Sequence, residues 1–144
     1  MKWKSVMLIE LAVKSDDSGK LVVFDAETIE NFNISRIFHV FSDRENVRGK
    51  HAHKQCNQVL FCNSGKILVK TFDGKVNEEY LLDRPNLGLL ISAGIWSEQL
   101  YLTDGAMLSV ICDRPYEPED YIRDFSEFLN FVNNSNGKND LENR

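Results

Sequence analysis

Residues 48–53 read Arg48-Gly49-Lys50-His51-Ala52-His53, and the fold turns on how this stretch runs. As a β-strand it sends His51 and His53 to one face and Ala52 to the other, because side chains alternate along a strand. If that face lines the inside of a barrel, two imidazoles converge on one pocket. On an edge strand the same pair is simply two surface histidines. The chain has only three His, so this stretch holds most of its imidazole chemistry.

The surrounding sequence favours strands. Ser35–Phe41 is β-branched and aromatic, and Gln58–Cys62 is a short apolar run. Lys66–Phe72 alternates Ile67, Val69 and Thr71 against Leu68, Lys70 and Phe72, the pattern of a strand with one face buried. Turn signals separate the runs. Asn63-Ser64-Gly65 ends one, and Asp73-Gly74 joins Lys66–Phe72 to Lys75–Leu82 as a hairpin. Asp83-Arg84-Pro85-Asn86 closes that strand, and Thr103-Asp104-Gly105 separates Glu98–Leu102 from Ala106–Cys112. Asp16-Asp17-Ser18-Gly19 turns the chain before Lys20–Asp25. Roughly eight closely spaced strands with no helix between them predict an antiparallel sandwich or barrel.

The character changes after Cys112. Pro118-Glu119-Asp120 has an early Pro and acidic residues, as helix starts do. Tyr121, Ile122, Phe125, Phe128, Leu129 and Val132 recur at helical spacing. They predict a C-terminal helix packed on the sheet, with Tyr121 and Arg123 packing and capping it. Residues 134–144 are polar and Asn-rich, and read as a disordered tail after a single domain over 1–133.

Composition narrows the function classes. The chain has 144 residues, 42% hydrophobic and 27% charged, which suits one globular domain with its own core. Its formal net charge of −5 argues against general nucleic-acid binding and adsorption to anionic membranes. A few Arg around one pocket still suffice for a small anionic ligand. No apolar run reaches the length of a membrane span. Val6–Ile9, after Lys2 and Lys4, is cut short by Glu10 and is too brief for a secretory signal. Cys56, Cys62 and Cys112 lack CxxC spacing, against a disulfide framework or a zinc site. Cys62 and Cys112 sit in apolar runs and are expected to be buried. The chain is expected to be cytoplasmic.

His51, His53, Gln58 and Gly65 fall at the spacing of the first cupin motif, where Gln58 takes the acidic position. Ser92, Gly94 and Ser97 fall on the second motif, where Ser97 replaces its histidine. The framework resembles the cupin superfamily. It implies an all-β double-stranded β-helix, a jelly-roll barrel, carrying the C-terminal helix. Two of the four usual metal ligands are replaced, and a catalytic metal normally needs at least three protein ligands. No metal and no other cofactor are therefore expected. A free imidazole, with an ordinary pKa of about 6.5, suits general acid–base work near neutral pH.

Four segments carry a closer resemblance. They are Gly19-Lys20-Leu21-Val22 after the Asp-rich turn, Arg48 through Lys54, Gln58-Val59-Leu60, and Asp120-Tyr121-Ile122-Arg123. Together they resemble the sugar 3,4-ketoisomerase family of cupins. The resemblance implies a metal-independent isomerase acting on dTDP-4-keto-6-deoxyglucose. It would move the keto group from C4 to C3 through an enediol, toward an unusual dideoxy amino sugar of a lipopolysaccharide O-antigen. His51 is then the base, and His53 relays a proton between the oxygens or stabilises the enediolate. Arg48 offsets negative charge on the enediolate or pyrophosphate, unless it pairs with Asp43 or Glu45. Gln58, His39, Trp96 and Ser97 complete the implied substrate-binding set.

Some readings stay open at this level. Trp96 and Phe41 either stack on the ligand or belong to the core. His39, beside Phe38 where relatives have Tyr, is either a substitute acid or a core histidine. Ser97 and Ser18 stand at places that the resemblance ties to C4 configuration, so galacto and gluco products both remain possible. The family resemblance also implies a homodimer that exchanges N-terminal strands. Two rival functions are a nucleotide-sugar epimerase, with Tyr101 or another phenol facing His51, and a non-catalytic nucleotide-sugar-binding cupin.

Overall fold

The computed structural model describes residues 5–142. Lys2, Lys4 and the last two residues of the predicted tail lie outside them. In chain order the strands are β1 (Val6–Glu10), β2 (Ala12–Asp16), β3 (Gly19–Val23), β4 (Arg36–Ser42), β5 (Val47–His53) and β6 (Gln58–Ser64). They continue as β7 (Ile67–Phe72), β8 (Asn77–Leu82), β9 (Leu87–Ile91), β10 (Trp96–Tyr101), β11 (Ala106–Cys112) and β12 (Tyr121–Ile122). The helix α1 (Phe125–Glu142) comes last.

Two five-stranded sheets, ordered β1-β9-β6-β11-β4 and β12-β5-β10-β7-β8, form the jelly roll that the motif spacing implies. Their inward side chains make one core, with Leu60, Leu89, Leu108 and Val110 from the first sheet meeting Ile67, Val69, Leu82 and Tyr101 from the second. The predicted alternation in β7 holds: Ile67, Val69 and Thr71 are buried and Lys70 is exposed. Asp73 locks the next hairpin by accepting the Lys75 and Val76 N–H groups at 2.8 Å each. The outer face of the second sheet is sealed by α1, where Phe128 and Val132 pack on Ala52, Trp96 and Ile122. Ile29 and Phe32 cover the outer face of the first sheet, against Val59, Leu90 and Ile111. The β2–β3 hairpin forms a separate two-stranded sheet. No helix among the described residues is long and apolar enough to cross a membrane.

A bulge in β5 sets which side chains share its inner face. Ser97 of β10 pairs with His51, and the next residue, Glu98, pairs with Gly49. Lys50 is the extra residue. Gly49 (φ 83°) and Lys50 (φ 57°) both adopt left-handed backbone. The bulge reverses the alternation, so Arg48 shares a face with His51 although three positions separate them.

The C-terminal segment corrects the sequence expectation. Pro118–Asp120 is a single 3-10 turn, and Tyr121 and Ile122 pair with His53 and Ala52 as a strand. The helix starts four residues later than Tyr121, where the Asp124 carboxylate accepts the Glu127 N–H at 3.0 Å as an N-cap. Periodicity misplaced the start because Ile122 is apolar for a different reason: it seals the outer face of β5. The helix continues to Glu142, through the polar stretch that reads as a tail.

Candidate active site

Between the sheets lies a cavity of about 210 Å³. Its polar wall comprises Arg48, His51, Gln58, Gln99, Tyr121 and Arg123. Phe38, Val40, Leu60, Leu108 and Val110 make the apolar wall.

His51 occupies the wall with its tautomer fixed. Its Nδ1 lies 3.0 Å from the Gly49 carbonyl oxygen. A carbonyl only accepts, so Nδ1 carries the proton and Nε2 keeps a free lone pair. Burial lowers the His51 pKa to about 4, and the adjacent His53 pushes the same way. The ring is therefore neutral, and a base, at physiological pH. His53 stands behind it, with ring centroids 5.1 Å apart and planes nearly perpendicular. Its Nδ1 contacts the Asp120 carboxylate at 3.1 Å, and its buried Nε2 has no partner. Burial lowers its pKa against the opposing pull of Asp120. Asp120 also accepts the Gln55 and Cys56 N–H groups, so it is a fixed orienter of the His53 ring.

The remaining predicted residues divide. Arg48 and Gln58 reach the cavity wall. Among the described residues Arg48 forms no ion pair, with Asp43, Glu45 or any other carboxylate. Gln58 donates to Cys112 Sγ at 3.4 Å. Ser97 is buried behind the wall and accepts from Gln99 Nε2 at 3.2 Å. Trp96 and His39 do not join the cavity. Trp96 faces α1, 5.3 Å from the Phe125 ring and 5.6 Å from the Phe128 ring. His39 points out of β4 and contacts Ser109 Oγ at 2.7 Å, and Phe41 on the same face is 66% exposed. In both strands alternation is the cause: Ser97 and Phe38 point inward, so their neighbours Trp96 and His39 point outward. Ser18 is tied to Asp16 within its own turn, Oγ to Oδ1 at 2.6 Å.

Three wall residues lie outside the predicted set: Gln99, Tyr121 and Arg123. Gln99 has a signal, since it stands two positions from Ser97 on one strand. Its presence also explains Gly49, where a Cβ would come within 2.5 Å of Gln99 Oε1. Tyr121 and Arg123 were hidden by the helical reading. On β12 and its continuation they point inward, and Tyr121 packs 5.2 Å from His51 and 4.4 Å from His53, centroid to centroid. Arg123 lies over the Tyr121 ring at 4.5 Å. Tyr101, the phenol named for the epimerase reading, is fully buried in the core, where burial raises its pKa to about 12.

The donor set at the cupin metal positions does not fit a metal ion. His51 Nδ1 is spent on Gly49, the Gln58 amide on Cys112, and the Ser97 hydroxyl on Gln99. His53, Cys56 and Asp120 offer ligand atoms within 4.8 Å of one another. His53 and Asp120 already satisfy each other there, and Asp120 is filled by two backbone donors. The three cysteines are free and buried.

A jelly-roll barrel with this histidine pair facing an inner cavity defines a cupin-type protein. The chain belongs to the family described as "FdtA: WxcM-like, C-terminal", which matches residues 4–133. It is 32% identical over 118 residues to the TDP-4-oxo-6-deoxy-alpha-D-glucose-3,4-oxoisomerase of Aneurinibacillus thermoaerophilus, covering 81% of this chain and 85% of that one. Its fold is similar to a 3,4-ketoisomerase from Helicobacter canadensis, with a TM-score of 0.84 and 34% identity over 89% of this chain and 97% of that one. A second similar structure is the sugar 3,4-ketoisomerase QdtA of Thermoanaerobacterium thermosaccharolyticum in complex with TDP. That match has a TM-score of 0.86 and 28% identity, over 91% of this chain and 96% of the other.

Proposed function

We propose that this protein is a sugar-nucleotide 3,4-ketoisomerase acting on dTDP-4-keto-6-deoxyglucose without a metal or other cofactor. The observation that carries this reading is His51, a neutral imidazole with Nε2 free beside a cavity that also holds two guanidiniums, Arg48 and Arg123. A ketone at C4 acidifies the C3 proton, and His51 Nε2 removes it to give the enediol. The same nitrogen returns a proton to C4, which leaves the ketone at C3. His53, held by Asp120, packs edge-on against His51 and fixes its ring. The cavity is smaller than the ~300–1,000 Å³ of drug-sized pockets. It therefore takes the hexose, while the diphosphate meets guanidinium charge at its mouth. Gln58, and Ser97 acting through Gln99, complete the polar lining on this reading.

The placement of Tyr121 favours isomerisation over epimerisation. An epimerase must return its proton to the opposite face of the sugar from its base. Tyr121 stands on the strand next to His51, on the same side. A base and a proton carrier on one side suit a transfer between neighbouring carbons.

Assembly and context belong to the same proposal. The edge strand β4 exposes Ile37 and Phe41, and the β2–β3 hairpin stands apart from both sheets. These surfaces fit a homodimer that exchanges N-terminal strands, and the exchange would account for Ser18 standing away from the cavity of its own chain. The product would enter cytoplasmic synthesis of a dideoxy amino sugar for a surface glycan. The test is incubation with dTDP-4-keto-6-deoxyglucose in deuterium oxide, with NMR of the products. A 3-keto product with solvent deuterium at C4 is expected. Unchanged substrate with no deuterium at C3 or C4 refutes the reading and favours a binding-only cupin.

A further inference from the structure

Arg36, at the start of β4, is a partly buried guanidinium with no carboxylate partner among the described residues. Its Nη2 donates to the Tyr121 phenol oxygen at 3.3 Å and to Cys112 Sγ at 3.5 Å. The rings of Phe38 and Tyr116 each lie 5.3 Å from its central carbon. Its Nε is buried without a partner. Holding a cation in such surroundings without a counter-charge is costly. The cost falls if negative charge forms nearby during the reaction.

Tyr121 is where that charge can form. A guanidinium N–H only donates, so the phenol oxygen is the acceptor and its own O–H stays available. Among the described residues nothing accepts that proton. The ring lines the cavity beside His51. The charged and titratable groups around it are Arg36 from β4, His51 and His53 from β5, Arg123 from its own segment, Cys112 through Arg36, and Tyr116.

We propose that Tyr121, polarised by Arg36, carries the proton between the two substrate oxygens while His51 carries the proton between the two carbons. The inference rests on the ketoisomerase reading and completes its proton count. When His51 Nε2 takes the C3 proton, the C3–H electron pair forms the C3=C4 bond. The C4=O π pair moves onto O4, which takes the Tyr121 proton. The phenolate so formed faces the Arg36 guanidinium. It then takes the proton from O3 as the O3–H pair becomes the C3=O bond. The C3=C4 pair takes the proton from His51 at C4. Both side chains end as they began, and no oxidant or reductant is consumed. His53 is poorly placed for this role, because Asp120 holds its Nδ1 and its Nε2 is buried behind His51.

The test compares wild type, Tyr121→Phe, Arg36→Met and Arg36→Lys in 3-keto product formation across pH, together with TDP affinity. Tyr121→Phe keeps the ring packing and is expected to lower kcat about 10²–10⁴-fold with TDP affinity unchanged. In Arg36→Met the phenol loses its neighbouring cation and ionises at higher pH. The basic limb of the kcat profile is therefore expected to move upward, and Arg36→Lys to restore it in part. A Tyr121→Phe enzyme with more than half the wild-type kcat, or an unmoved basic limb in Arg36→Met, overturns the inference. A wild type that makes no 3-keto product overturns the ketoisomerase reading and this inference with it. An active wild type with an equally active Tyr121→Phe overturns the inference alone.

Discussion

The two faces of the β5–β10 pair are made by the same residues taken alternately, yet they do opposite things. The inner face presents Arg48, His51, His53, Ser97 and Gln99, all polar. The outer face presents Ala52 and Trp96, sealed under Phe128 with Ile122. One face keeps polar groups under-partnered, as the lone His53 Nε2 shows. The other supplies apolar burial that offsets the cost of doing so. Residues one position apart should therefore fail in different ways when changed: inner ones in chemistry, outer ones in stability.

The sharpest division is expected between His51 and Phe128. His51→Asn should cut kcat/KM by about 10²–10⁴-fold and leave the thermal midpoint almost unchanged, as a melt beside a turnover assay would show. In wild type the acid limb of kcat/KM should fall near pH 4, because burial depresses the His51 pKa to about 4. Above that pH the base is free, and below it protonation removes activity. A limb near the ordinary imidazole value of about 6.5 would mean that His51 is more hydrated than its surroundings imply. Phe128→Ala should do the reverse. It should cost about 3–5 kcal/mol in urea unfolding while kcat, measured well below the new midpoint, stays near wild type. A large loss of kcat there would break the comparison by coupling the outer face to the chemistry.

Smaller effects test the bulge and the strand ends. Gly49→Ala sets a side chain on left-handed backbone and against Gln99, at a cost of about 1–3 kcal/mol with reduced turnover. Repeating it in a Gln99→Ala background should recover part of the cost, and a purely additive double mutant would deny the contact. His39→Ala should leave kcat/KM unchanged and remove one hydrogen bond to Ser109, worth about 0.5–1.5 kcal/mol. A collapse in activity would put His39 back in the site.

Much of this was legible without coordinates. The strand runs and turns of the barrel matched, and the i, i+2 spacing of His51 and His53 set both on one face. The same alternation rules Trp96 out once Ser97 points inward, and His39 out once Phe38 does. Those two expectations came from position along the family pattern rather than from facing. Tyr121 and Arg123 were visible residues with a misassigned element, because two residues of strand are too short to show a period.

By itself, the sequence determined an acidic jelly roll with a histidine pair on one strand face, since alternation and turn chemistry are local properties. Only the tertiary structure decided what stands around that pair. The bulge at Gly49 and Lys50 brings Arg48 to the same face. The pairing of β12 with β5 delivers Tyr121 and Arg123, and β4 delivers Arg36 to Tyr121. Each of these depends on which strand lies beside which, and that arrangement comes from burying both sheets in one core.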